Sequence, residues 1–253
     1  MRSLLYRIYE RRLAASLVPD RLPHHVAVVI DGNRRWARAA GAGDVRTGYE
    51  AGASKVPDFL QWCVEIGGVS VVTIYMLSAD NLNRPEQEVR PLIEVIEGLV
   101  TQLGAAGRWR INQVGARDLL PEGTQRVLKA AEDDTRDNDG LLVNVAIGYG
   151  GRREVADAVR SLLHEQATQG ITIEELAEVL DVEHIAAHLY TKGQPDPDLI
   201  IRTSGEQRLS DFLLWQSAYS EFFFCEAYWP DFRKVDFLRA IRSYAERSRR
   251  FGK

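Results

Sequence analysis

Short runs of apolar, often β-branched residues alternate along this chain with longer stretches whose apolar positions recur about every three to four residues. The runs predict strands at 26–30, 69–76, 110–114, 141–146 and 199–201, with a further short one at 222–224. The periodic stretches predict helices at 48–66, 85–104, 122–133, 152–169, 172–180 and 235–249. Strand, crossover helix and strand in repetition are the signature of an α/β fold with a central, mostly parallel β-sheet flanked by helices. No internal repeat or low-complexity linker divides the chain, so residues 22–253 read as a single domain behind a helical extension at 1–21. In that extension Leu4, Leu5, Ile8, Tyr9 and Leu13 share one helical face, with basic residues beside them. The preferred reading is a helix packed on the body or on a second subunit. Peripheral contact with a membrane surface is the alternative.

Composition narrows the class. The 253 residues suffice for one large α/β domain, and a net charge of −4 argues against nonspecific nucleic-acid binding. Cys63 and Cys225 stand far apart without a CxxC pair, which fits a reduced, cytoplasmic protein, with peripheral placement at the inner membrane surface as the alternative. No apolar run approaches the roughly 20 residues of a membrane span. Arg7, Glu10, Arg11 and Arg12 interrupt the place where a secretory signal would be apolar.

The chemistry concentrates where strands end. After 26–30 come Asp31, Gly32, Asn33, Arg34, Arg35 and Trp36. A buried strand delivers Asp31 to the carboxyl edge of the sheet, where open α/β proteins bind ligands. One carboxylate beside two arginines and the start of a helix suits Mg²⁺ together with phosphate oxygens. After 69–76 come Leu77, Ser78, Asp80, Asn81, Asn83 and Arg84, directly before Pro85. Helix capping by Asn83 accounts for one of these polar residues and leaves the others for function. After 199–201, Arg202 and Arg208 bracket Ser204, Gly205 and Ser210, and guanidinium forks match phosphate oxygens bidentately.

Other features are weaker. Gly148-Tyr149-Gly150-Gly151-Arg152-Arg153-Glu154 fits neither the dinucleotide fingerprint nor a P-loop, and reads as tight strand–helix packing. His184 and His188 have zinc-pair spacing without an intervening glutamate or a third ligand, so a capping or solvent-facing role is expected. His24 and His25 precede a strand and are weaker candidates for the site. The acidic run at 132–140 lacks the ligand order of a calcium loop and reads as a solvated connection. Glu221 sits inside an aromatic stretch, where a carboxylate needs a partner and a metal is one.

Taken together, the segments 25–38, 75–85, 144–152, 198–221 and 229–232, with Arg249-Arg250-Phe251-Gly252 at the end, resemble the cis-prenyltransferases. These are the (Z)-isoprenyl diphosphate synthases related to undecaprenyl diphosphate synthase. The resemblance implies a parallel sheet surrounded by helices, an apolar tunnel for the growing chain, and a homodimer. It implies that Asp31 engages diphosphate with Mg²⁺, and that Gly32, Asn33, Arg34 and Arg35 hold an allylic diphosphate with Trp36 beside them. Ser78, Asp80, Asn81 and Arg84 then match the second substrate motif, Asn81 at the proposed proton-accepting position. Arg202, Arg208 and Ser210 match the isopentenyl diphosphate clamp, and Glu221 a second Mg²⁺ carboxylate. Arg250-Phe251-Gly252 is similar to an element that reaches a neighbouring subunit's active site.

The departures carry information. Arg34 stands where long-chain members have glycine and adds a cation to the diphosphate loop. A one-residue insertion in 44–49 places Tyr49 at the family's histidine position, with Arg46 as the substitute for its arginine. Asp80 replaces a glutamate and Leu82 a tryptophan. Met76 and Leu77 occupy the strand end where long-chain members carry a small residue and phenylalanine. Bulk there predicts an early stop, with geranyl diphosphate extended to (2Z,6E)-farnesyl diphosphate. The rivals are a medium- or long-chain polyprenyl (decaprenyl or undecaprenyl) diphosphate synthase, an enzyme of irregular coupling, a non-catalytic partner subunit, and a nucleotide-binding module.

Overall fold

The computed structural model describes residues 2–247, the side chains of residues 2–5 and 7 excepted. The chain runs α1 (Arg2–Ala15), β1 (His25–Val29), α2 (Asn33–Ala39), α3 (Val45–Ile66), β2 (Val71–Ser78), α4 (Glu86–Ala105) and β3 (Arg110–Val114). It continues through α5 (Glu122–Thr135), β4 (Leu142–Tyr149), α6 (Gly151–Thr168), α7 (Ile173–Val179), α8 (Val182–Ala186), β5 (Leu199–Arg202), β6 (Glu221–Phe224) and α9 (Lys234–Glu246). The strands form one parallel sheet in the order β3-β4-β2-β1-β5-β6. β1 and β4 are buried along their whole length, which explains why their sequences, His25 and Asn144 excepted, are apolar rather than alternating. One sheet face meets α3, α4, α5 and α9 through Val56, Phe59, Leu60, Ile96, Leu128 and Phe237. The other carries Ala27, Val29, Tyr75 and Ala146 against Phe212 and Leu213.

Strand order reverses at β1, whose neighbours are β2 on one side and β5 on the other. Crossovers leave in opposite directions there, so a crevice opens at the carboxyl ends of β1 and β5. Asp31 and Arg202 stand at that crevice.

The structure extends several predicted elements. β4 runs on to Tyr149, and α3 begins at Val45 because the Asp44 side chain accepts from the Arg46 backbone N–H at 2.9 Å. At the end of β2 the pairing with β4 slips twice between Tyr75 and Ser78, so Met76 and Leu77 together oppose Ile147. This bulge breaks the alternation of a regular strand, and Met76 and Leu77 both join the cluster under α3 and α4. Periodicity cannot reveal such an insertion. α1 packs on α9 through Leu13 with Val235 and Leu238, while Arg233 and Arg239 lie over the rings of Tyr6 and Tyr9. Among the described residues no helix is long and apolar enough to cross a membrane. The terminal Arg249-Arg250-Phe251-Gly252 lies outside the described residues.

His25 does not enter the crevice. It begins β1 at the opposite edge, with Nδ1 2.8 Å from the Pro195 carbonyl and Nε2 2.8 Å from Thr73 Oγ1. The Asn144 amide donates to the same hydroxyl at 3.0 Å, so a buried polar chain pins the 194–195 segment across three strands. Burial lowers the imidazole's pKa and outweighs the Pro195 carbonyl and the Asp198 charge, which raise it. Folding therefore favours neutral His25. Its contribution is complete above the unfolded pKa of about 6.5 and is lost as pH falls from there toward the folded value. The melting temperature is expected to fall between about pH 7 and pH 5 more steeply than in His25→Gln. Equal slopes in a pH series of thermal melts would refute this role.

Candidate active site

Thr203 ties the ends of β1 and β5 together. Its hydroxyl accepts from the Asp31 N–H at 2.9 Å and lies 2.8 Å from the Asp31 carbonyl. Gly32 follows with φ of +104°, and a Cβ there would fall 2.7 Å from the Tyr228 ring, so glycine is required on both counts. The chain is thereby turned into α2 with the Asp31 carboxylate left facing the crevice.

That carboxylate is held by two arginines. Arg202 Nη2 donates to Oδ2 at 2.9 Å, and Arg35 Nη2 is 3.4 Å from Oδ1. Burial would raise the carboxyl's pKa, but the Arg202 hydrogen bond and the charges of Arg202 and Arg35 hold it below the ordinary carboxylate range. Arg202 also donates from Nη1 to the Arg208 carbonyl and to Ser210 Oγ, both at 2.6 Å. The predicted clamp thus assembles in space, with a division of roles. Buried Arg202 organises the loop, and the largely exposed Arg208 is the outer arm, paired with Glu206.

Glu206 was not singled out by sequence reasoning. Its carboxylate joins Arg35 Nη1 at 3.1 Å to Arg208 Nη1 at 2.5 Å, bridging the two arginine clusters. The signal was a carboxylate between two arginines of one loop. Ser204, which accepts from Arg35 Nη2 at 2.7 Å, was noted only as a member of that loop.

Two cavities flank these residues, of about 1280 and 300 Å³. The larger is bordered by Ser78, Asp80, Asn81, Arg84, Arg202, Arg208 and Ser210, the smaller by Gly32, Asn33, Arg34, Arg35, Arg38 and Tyr49. They share Ile30, Asp31, Arg35, Met76, Asn81 and Arg84. Six arginines and four carboxylates line the larger cavity, and four arginines face one carboxylate in the smaller. In a chain of net charge −4, such local excess of cations marks both as anion sites.

Of the remaining candidates, Trp36, Arg46 and Glu221 stand away from the places expected of them, while Asn33 and Ser78 stay at the cavities and His184 caps a helix as expected. Trp36 lies on the wall of neither cavity. The Asn33 carboxamide oxygen is turned toward α3, where a Cβ on Gly52 would fall 2.4 Å from it, although Asn33 still borders the smaller cavity. Ser78 accepts from the Asn81 N–H at 3.0 Å and so caps the turn that follows β2. Arg46 pairs with Glu50 and Glu94, both at 2.8 Å, away from either cavity. Glu221 opens β6 level with Leu199, at the edge of the sheet opposite Asp31, and its partner is Arg247. By strand rise alone it stands roughly 16 Å from Asp31, so the two cannot share a metal within one chain. His184 accepts from the Asp181 N–H as a cap, and His188 meets Ser161 and Glu165. The expected tunnel is not shown: Met76 and Leu77 border the larger cavity and belong to the packed cluster beyond it.

Comparison with known proteins agrees with this arrangement. A family profile described as putative undecaprenyl diphosphate synthase matches residues 29–252. The chain is 62% identical over 252 residues to a (2Z,6E)-farnesyl diphosphate synthase of Thermobifida fusca, covering 100% of this chain and 98% of that protein. It is 56% identical to isoprenyl transferase 1 of Streptomyces avermitilis, covering 100% and 97%. The crystal structure of lavandulyl diphosphate synthase from Lavandula x intermedia, in complex with dimethylallyl diphosphate, superimposes with a TM-score of 0.85 at 34% identity, covering 92% of this chain and 100% of that one. With its parallel sheet, its carboxylate–arginine crevice and these matches, the chain belongs to the cis-prenyltransferase family.

Proposed function

We propose that the protein condenses isopentenyl diphosphate with a short allylic diphosphate, geranyl diphosphate foremost, to give (2Z,6E)-farnesyl diphosphate. The observation that carries this reading is the seam between the two cavities. Two cavities, each with its own arginines, share walls at Asp31, Arg35, Asn81 and Arg84. That arrangement suits two diphosphates whose hydrocarbon ends must meet. The Thermobifida relative, named for this product, supports the chain length.

The allylic diphosphate occupies the smaller cavity among Arg34, Arg35 and Arg84, and isopentenyl diphosphate the larger one near Arg208 and Ser210. As the allylic C–O bond breaks, negative charge grows on the leaving diphosphate. Arg35 and Arg84 stabilise that charge more strongly than the ground state. The second site holds the isopentenyl double bond against the developing cation, a positioning effect. Asn81, at the seam, is placed to receive the proton lost as the new cis double bond forms. Met76 and Leu77 block growth beyond the first product.

The donors fit Mg²⁺ of one kind. Among the described residues no cluster of three or more His, Cys, Asp or Glu side chains forms a cage. Asp31, the carboxylate that borders both cavities, suits an ion held by one protein oxygen, substrate oxygens and water. When bound, the metal supplies Lewis-acid neutralisation of diphosphate charge.

The test is incubation with labelled isopentenyl diphosphate and dimethylallyl, geranyl or farnesyl diphosphate in turn, with Mg²⁺ or with EDTA, and chromatography of the dephosphorylated products. A (2Z,6E)-farnesyl product from geranyl diphosphate, absent with EDTA, is expected. Long polyprenyl products would refute the chain length, and no turnover with any starter would refute catalysis.

A further inference from the structure

The smaller cavity contains a polar atom that the fold leaves unused. Tyr49 lies on α3 and is 4% exposed, yet its hydroxyl proton has no acceptor in hydrogen-bonding geometry. Burial raises the pKa of this phenol, against the opposing charges of Arg34 and Arg84 and the Arg84 guanidinium donating toward its oxygen. It is therefore a neutral O–H donor at every physiological pH. The charged groups around it are Arg34 from α2, Arg84 from the turn after β2, and Glu88 from the first turn of α4. The guanidiniums can only donate, and the Glu88 carboxylate is engaged by Arg34 at 3.2 Å. Among the described residues no acceptor serves the Tyr49 proton. Arg34 Nε, on the wall of the same cavity, is likewise buried without a partner.

A buried hydroxyl left unpaired is a liability to the folded state. Two unpaired donors converging on one cationic cavity are explained by a ligand that brings acceptors and negative charge. The geometry points to Tyr49 as a positioning residue for the allylic diphosphate, its O–H donating to a phosphate oxygen that Arg34 and Arg84 hold by charge. This rests on the reading of the smaller cavity as the allylic site and adds an uncharged donor to it. The hydroxyl costs stability in the free protein and repays it on binding. Both consequences follow from one atom and are separately measurable.

Tyr49→Phe removes that atom and little else. In steady-state assays the variant is expected to raise KM for geranyl diphosphate about tenfold, as loss of a hydrogen bond to a charged group does. KM for isopentenyl diphosphate should stay within about twofold, because Arg208 and Ser210 hold that substrate. The melting temperature of the free variant should equal or exceed that of the wild type. Calorimetric titration with inorganic pyrophosphate in Mg²⁺ buffer supplies a readout independent of turnover, and binding should weaken by a similar factor. An unchanged geranyl diphosphate KM with unchanged pyrophosphate affinity overturns the assignment. So does a fall in melting temperature with both KM values rising together, which is the mark of a packing role. A wild type that binds pyrophosphate through Tyr49 yet turns over no prenyl diphosphate would sink the proposed reaction and leave this site standing.

Discussion

Asp31→Asn is expected to lower turnover about a thousandfold or more, equivalent to about 4 kcal/mol of transition-state stabilisation. Asp31 is the one carboxylate common to both cavities and the candidate oxygen donor for Mg²⁺. It also aligns Arg35, which borders both cavities, and Arg202, which borders the larger. Neutralising it removes the candidate metal ligand and the negative charge that offsets Arg35 and Arg202, so anion binding should be kept and KM should move less than kcat. The amide retains an oxygen for Arg202, so the fold should survive. Asp31→Ala differs in that respect. Arg202 has a side chain only 5% exposed, and without its carboxylate the buried charge should cost about 3 kcal/mol of stability. Thermal melts beside single-turnover assays separate the two effects. Asparagine-variant activity within tenfold of wild type would remove Asp31 from the mechanism.

The strand ends were legible because parallel strands are buried on both faces and stop abruptly where polarity begins. Asp31, Ser78 and Arg202 could be placed at one sheet edge from that pattern alone. Glu221 was read otherwise, from its aromatic surroundings and the family resemblance. A carboxylate in an apolar stretch needs a partner without saying which, and at the opening of β6 that partner is Arg247. Arg46 failed for a related reason: its carboxylate partners Glu50 and Glu94 lie on two helix faces that meet only in the fold. Glu206 and the Tyr49 hydroxyl stayed hidden because their significance lies in what surrounds them. A carboxylate bridging Arg35 and Arg208, or a phenol with no acceptor, is a property of packing across distant segments.

Met76→Ala is expected to shift the product from (2Z,6E)-farnesyl diphosphate to chains one or more isoprene units longer. Met76 borders both cavities and is 8% exposed, and the bulge at the end of β2 turns it and Leu77 into the same packed cluster. A regular strand would send one of the two to the opposite face. The bulge therefore doubles the apolar wall at the end of β2, on the sheet face covered by α3 and α4. Beyond it Val56, Ile74, Ile96 and Leu99 are packed at 5% exposure or less, and close-packed interiors resist an added methylene at about 1–3 kcal/mol. Alanine removes the thioether arm and opens a pocket where the next unit would start. The cavity should destabilise the protein by about 2–4 kcal/mol, partly restored when a longer product fills it. Leu77→Ala should lengthen products less, since Leu77 borders only the larger cavity. Reversed-phase chromatography of the dephosphorylated products reads the outcome directly. An unchanged distribution in the double variant would mean that elongation stops for a reason other than this wall, such as early release of product.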